Sequence, residues 1–161
     1  MDKGKFGRRD RLVKEKEHDT YREGKKLPEP SLCQQCGAVF ASGRWGWSEA
    51  PAGAEKTVCP ACQRIIDDFP AGYVELHGSF FEERREEILN LVSNEEKLEK
   101  GEHPLERIMQ VKKENGHTLI TTTGVHMARR IGEAVVRAYQ GDLTFTYGDN
   151  EKTVRVNWQS R

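Results

Sequence analysis

All four cysteines of the chain fall in one arrangement: Cys33-Gln34-Gln35-Cys36, a gap of 22 residues, then Cys59-Pro60-Ala61-Cys62. Each Cys-x-x-Cys hook can place two sulfurs on one metal ion, and two hooks complete a closed tetrahedron of thiolates, the pattern of structural zinc. Cys33, Cys36, Cys59 and Cys62 are therefore the expected Zn2+ ligands. Four thiolates leave no coordination position for water, so the site points to folding stability and a recognition surface rather than to hydrolysis. Paired disulfides are disfavoured because nothing marks the chain for export. A thioredoxin-type pair needs one hook opening a helix beside a parallel strand, not two matched hooks. His77 and His103 lie near in sequence but are isolated, and they stay outside the expected metal shell.

A second chemical candidate is Thr121-Thr122-Thr123-Gly124-Val125-His126-Met127-Ala128-Arg129-Arg130. A threonine here can cap a helix and leave first-turn amides pointing outward, with two arginines within about two turns of that end. Thr122, Thr123, Arg129 and Arg130, with Arg137 on an adjoining face, form the candidate RNA- or phosphate-binding set. The plainer alternative is simple capping followed by solvated arginines. His126 would need a nucleophile and an electrophile stabiliser converging on it to act as a base, and no such set is visible. No phosphate-binding glycine loop, His-Glu-x-x-His pair or nucleophile elbow is present either, so a non-enzymatic protein is expected.

The elements that must position these residues read as follows. Between the hooks, Gly37, Gly43, Gly46 and Gly53 alternate with a few large apolar groups, Phe40, Trp45, Trp47 and Val58, which suits short strands of a zinc ribbon. Gln63–Phe69 allows one or two helical turns. Tyr73–His77 alternates as a strand, and Phe81 to about Lys100 reads as a helix whose stripe is Phe81, Ile88, Leu91, Val92 and Leu98, with glutamates opposite and Gly101 as its stop. A run from Pro104 to Lys113 and the strand Thr118–Thr122 flank Asn115-Gly116, the pair a type I′ hairpin favours. A helix over about 124–140 carries Ala128, Ile131, Val135 and Ala138, and strands at 143–147 and 153–158 finish the chain. The order β-α-β-β-α-β-β predicts an α+β protein: a four-cysteine zinc ribbon at 31–70, then at 71–161 a split β-α-β, ferredoxin-like module with an antiparallel sheet, two helices on one face and one added strand. The uncovered face is expected to show some of Tyr73, Glu75, His77, Gln110, Lys112, Thr144, Thr146 and Arg155.

The chain has 161 residues, 35% of them hydrophobic and 32% charged, with 26 basic side chains against 26 acidic ones. No apolar run is long enough for a membrane helix or a signal-peptide core, so no membrane partner and a cytoplasmic location are expected. The zero net charge is an average over unlike parts. Residues 1–30 hold ten Lys and Arg against seven Asp and Glu, 31–62 two of each, 63–103 five against eleven, and 104–161 nine against six. The first segment has too few apolar side chains to offset ordering entropy and reads as a disordered, mixed-charge basic tail. Any RNA contact must then be local, with the acidic helix turned away from it.

The stretch Cys33–Trp158 resembles a bacterial zinc-ribbon family of four-cysteine type in its two hooks and in the segments Cys59–Cys62, His103-Pro104-Leu105-Glu106-Arg107 and Thr121–Arg130. More distantly it is similar to the zinc-containing core of the archaeal and eukaryotic adaptor that accompanies the large ribosomal subunit during nuclear export. That adaptor has more cysteine hooks than the four cysteines present here, and residues 1–30 lie outside the likeness. The resemblance implies zinc on Cys33, Cys36, Cys59 and Cys62 and a non-enzymatic role on structured RNA or a ribosomal particle. A protein–protein adaptor using the open sheet face or the acidic helix is the alternative expectation.

Overall fold

The computed structural model describes residues 27–148, 150 and 152–161, so the expected tail lies outside the described residues except for its last four. Two sheets divide the described chain. The first carries β1 (Ser31–Cys33), β2 (Val39–Ala41), β3 (Arg44–Gly46) and β4 (Glu55–Thr57) in the order β3-β2-β1-β4, with β1 and β4 parallel. Helix α1 (Pro60–Asp67) follows. Cys59 is its N-cap, its sulfur accepting the Cys62 amide, and Pro60 begins the helix where a missing N–H costs nothing. The second hook thus does open a helix. The ribbon has a meagre apolar interior: Cys33, Ala38, Cys59, Ala61 and Cys62 are its buried cluster.

The second sheet holds β5 (Gly72–His77), β6 (Ile108–Glu114), β7 (His117–Thr122), β8 (Asp142–Tyr147) and β9 (Val154–Gln159), in the order β6-β7-β5-β9-β8. Its helices are α2 (Ser79–Glu83), α3 (Arg85–Glu102) and α4 (Val125–Tyr139). A mixed α+β chain with a cysteine cluster is what the pattern predicted, but the strand order departs from an antiparallel sheet. The crossover from β7 through α4 lands on β8, and the chain turns back to place β9 between β8 and β5, parallel to β5. The sheet is therefore mixed, not antiparallel. The reason lies in composition: β9 alternates Val154, Val156 and Trp158, all fully buried, whereas the inward residues of β8, Leu143 and Phe145, are only half-buried. The more apolar strand takes the more enclosed position.

Smaller corrections have equally local causes. The expected single helix after β5 is broken at Arg84 into α2 and α3. Helix α3 runs through Gly101 and stops at His103, ahead of Pro104, whose ring disfavours helical geometry in the residue before it. Leu98, expected on the buried stripe, is exposed, and so is Ala138. The Asn115-Gly116 loop joins β6 and β7 as expected, but only Gly116 is left-handed, with φ of 76°, so the turn is not type I′.

One face of the sheet is covered. Val74, Leu76, Ile120, Val154, Val156 and Trp158 meet Phe81 of α2, Ile88 and Val92 of α3, and Met127, Ile131 and Val135 of α4. Trp158 is fully buried, packs edge-on to Phe81, and satisfies its indole N–H on the Gln140 carbonyl at 2.6 Å. The opposite face shows the eight residues expected there, in register. One row runs Gln110, Thr121, Tyr73, Arg155, Thr146, and the next runs Lys112, Leu119, Glu75, Asn157, Thr144. No helix among the described residues is long and apolar enough to cross a membrane.

Helix α4 lies close to the sheet at Gly132, where an added Cβ would come within 2.6 Å of Val156 Cγ1 and 2.9 Å of a Leu143 methyl. Gly132→Ala gains about 1 kcal/mol of helix propensity, but overpacking a core typically costs about 1–3 kcal/mol. The variant is expected to melt below the parent in a thermal scan; an unchanged or higher midpoint would show that α4 is not clamped there.

Candidate metal centre

The two hooks converge because their strands pair. β1 delivers Cys33 and Cys36 through a tight turn in which the Gly37 amide donates to the Cys33 carbonyl, and β4, hydrogen-bonded to β1, delivers Cys59 and Cys62 at the start of α1. All four Sγ atoms lie within 4.8 Å of one another, and no disulfide joins them. Cys36 Sγ and Cys59 Sγ are 3.8 Å apart. That is far beyond the roughly 2.05 Å of a disulfide, whereas a tetrahedron with metal–sulfur bonds of about 2.3 Å has edges of about 3.8 Å. The donor set and spacing fit one tetrahedral, thiophilic metal ion.

Backbone amides point at the sulfurs: Ala38 N–H at Cys36 (3.4 Å), Cys59 N–H at Cys33 (3.2 Å) and Cys62 N–H at Cys59 (3.4 Å). Burial on its own raises the Cys33 thiol, but hydrogen bonds from the backbone of Cys59, Cys36 and Gln35 and from the Cys36 side chain outweigh it and bring it down to about 7. At Cys59 and Cys62 burial wins and the thiols are held above their ordinary range. Four sulfurs this close together cannot all carry negative charge without a cation among them, which is the charge a divalent metal supplies.

The pattern of spacings gave no hint of the group that closes the site. Arg107, from the segment leading into β6, donates from Nη1 to Cys62 Sγ at 3.2 Å and from Nη2 to Cys36 Sγ at 3.0 Å and Cys59 Sγ at 3.4 Å. Burial pulls its pKa down, but the bond to Cys62 and the charges of Cys59 and Cys36 more than offset this and keep it a cation. Leu105 packs on the same cluster, and Trp47 of the ribbon donates from its indole to the Lys100 carbonyl at the end of α3 (2.7 Å). The ribbon is thereby attached to the second module at two places.

The candidate phosphate set is arranged differently from the expectation. Thr122 and Thr123 are buried and do not cap α4; the Thr122 hydroxyl donates to the Gly124 carbonyl (2.7 Å), while that of Thr123 donates to the Leu105 carbonyl (2.6 Å) and accepts the Arg107 amide (2.9 Å). The cap comes from elsewhere in the chain. Glu106, itself buried, accepts the Met127 amide at 2.8 Å, and a Cβ on Gly124 would overlap its carboxylate. The positive end of α4 thus already holds an anion.

Arg129, Arg130 and Arg137 do line one cleft, of about 720 Å³, but Glu95, Glu99, Glu106 and Glu133 line it too. Arg130 is bound to Glu95 and Glu99 at 2.7 and 2.6 Å, and Arg129 sits 3.6 Å from Glu133. The acidic helix is turned toward the arginines rather than away from them, and negative charge in the cleft offsets the positive.

Glu106→Ala is expected to destabilise the protein by roughly 1–2 kcal/mol through loss of the α4 cap, with Glu106→Gln, which keeps an acceptor, retaining part of that stability. Chemical denaturation of the two variants checks this; equal stability of Glu106→Ala and the parent would contradict the capping role. Comparison of the chain with protein families, with curated proteins and with solved structures returns no match.

Proposed function

We propose that this chain is a zinc-stabilised, non-enzymatic, cytoplasmic binding protein for structured RNA or a ribosomal particle. The observation that carries the reading is the sealed cysteine cluster: four sulfurs fill the tetrahedron and Arg107 occupies the space beside three of them, so an ion held there has no position for a reacting water. The metal is then a fold-stabilising element, and function falls to surfaces. Zinc is the ion that closed tetrathiolate sites of this geometry most often hold.

For RNA, support shifts from the start of α4 to the open sheet face. There the Arg155 guanidinium lies 4.3 Å over the Tyr73 ring and the His77 and His117 rings stack at 4.7 Å, with Lys112, Gln110 and Asn157 in the neighbouring positions and Glu75 between Arg155 and His77. Aromatic and guanidinium planes on an exposed sheet are stacking surfaces for unpaired bases. Arg129, paired with Glu133, and Arg137 line a cleft shared with four glutamates and do not carry the reading. The adaptor alternative also draws on one observation: Ile65, Ile66 and Phe69, on α1 and just past it, are 43%, 58% and 54% exposed. A protein partner would cover them.

Protein purified under reducing conditions is expected to carry one zinc per chain by elemental analysis; negligible metal, or iron in its place, would overturn the zinc assignment. Fluorescence titration with single-stranded RNA and with purified ribosomal subunits at low salt is expected to show binding that weakens as salt rises. Tyr73→Ala with Arg155→Ala should weaken it by at least about tenfold, in line with about 1–3 kcal/mol per stacked base. No binding at low salt would sink the RNA reading. A co-purifying protein that survives nuclease and is lost with Ile66→Lys would establish the adaptor instead.

A further inference from the structure

Arg107 and Glu106 are consecutive residues that face opposite ways. Arg107 reaches three sulfurs of the cysteine cluster, while Glu106 holds the Met127 amide at the start of α4. The backbone between them has little freedom. The Arg107 amide donates to the Thr123 hydroxyl at 2.9 Å, the Thr123 amide donates to the Arg107 carbonyl at 2.9 Å, and Arg107 Nε donates to the Pro104 carbonyl at 2.7 Å. Arg107 is 5% exposed and Glu106 is 4% exposed. A guanidinium as deeply buried as this one needs a facing negative charge, and leaving it unpaired is strongly unfavourable.

The placement of that charge depends on the metal. An ion bound by all four cysteines holds the sulfurs of Cys36, Cys59 and Cys62 at one fixed spacing, the spacing that the Arg107 N–H groups meet at 3.0–3.4 Å, whereas without it only the two hooks' backbone fixes their separation. We infer that Arg107 is a positioning residue of the metal centre, through which metal occupancy controls the seating of residues 104–107 and, with it, the Glu106 cap of α4. Ribbon and module then form one coupled unit. By linkage the coupling runs both ways: the metal strengthens the seat of Arg107, and the seated arginine raises metal affinity by the same factor. Lysine cannot replace it fully, because its donors diverge from one nitrogen, whereas the guanidinium presents Nη1 and Nη2 to different sulfurs and Nε to the Pro104 carbonyl.

This inference rests on the metal reading above and is independent of RNA. Hydrogen exchange on the full-length protein, with and without a zinc chelator, should show exchange at the α4 N-terminus (residues 125–129) and at 105–107 speeding up about tenfold or more on chelation. With Arg107→Leu, zinc affinity measured by chelator competition should fall about tenfold. The sulfur-to-cobalt charge-transfer band of the Co2+-loaded variant should shift to lower energy as the sulfurs lose their donors, and Arg107→Lys should recover affinity only in part. If chelation opens the ribbon while 105–107 and 125–129 stay unchanged, the coupling is overturned. An unmoved cobalt band and unchanged affinity in Arg107→Leu would overturn the role of Arg107, whereas the lack of any charge-transfer band in the parent would overturn the metal reading itself. Should Arg107→Leu fail to fold, the Arg107→Lys spectrum and the exchange experiment on the parent decide the matter.

Discussion

The structure depends on four cysteine sulfurs brought together where the apolar groups around them are too few to hold them. The ribbon's buried apolar side chains are Cys33, Ala38, Val39, Cys59, Ala61 and Cys62, too small a core to offset the ordering of roughly forty residues. What holds four sulfurs within 4.8 Å of one another must therefore be polar: amide N–H groups of the two hooks, the Arg107 guanidinium beside them, and the metal ion that the four cysteines could hold. Of these, Arg107 alone comes from outside the ribbon. Its presence converts a local cysteine cluster into a joint between two sheets.

The same principle of internal neutralisation explains the region between α3 and α4. A helix with Glu86, Glu87, Glu95, Glu96 and Glu99 looks solvated when read alone. Folded beside α4 it supplies Glu95 and Glu99 to Arg130, Glu96 to the Ile108 amide and Glu87 to the Tyr139 hydroxyl. Most of these groups are partly exposed, so each contact contributes little by itself. Together they orient α3 on α4 and leave the surrounding cleft without the positive excess that phosphate binding requires. The opposite sheet face has acids too, Glu75 lying 3.7 Å from Arg155 and 3.3 Å from His77 and Glu114 3.3 Å from His117, but there they border aromatic and guanidinium planes rather than a cleft.

What could be read from the sequence was what depends on short-range period. The Cys-x-x-Cys hooks set their own ligand geometry over four residues, and alternation through Tyr73–His77 and 154–158 correctly assigned Tyr73, Glu75, His77 and Arg155 to one sheet face. What could not be read was long-range partnership. Arg107 meets Cys62 and Cys36 across 45 and 71 positions, and Arg130 meets Glu95 across 35. No periodicity encodes such pairs. The insertion of β9 between β8 and β5 is of the same kind, since alternation marks a strand without naming its neighbour. The segment His103–Arg107 stood out by resemblance alone; the chemistry of its last two residues emerges only once their partners are in place.

Glycine and threonine at the β7–α4 turn acquire their meaning from the same joint. Thr123 cannot cap α4 because its hydroxyl is bonded to the Leu105 carbonyl and the Arg107 amide, so it fastens the segment that carries both charged residues. Gly124 lacks a side chain where the Glu106 carboxylate approaches, and any larger residue would displace the cap. The run Thr122-Thr123-Gly124 is thus the receiving half of a joint whose inserted half is Glu106-Arg107, with the helix dipole attracting the carboxylate and the thiolate cluster attracting the guanidinium. Two opposite charges on adjacent residues, drawn to two opposite fields a few ångströms apart, fix both the orientation of the segment and the distance between ribbon and helix.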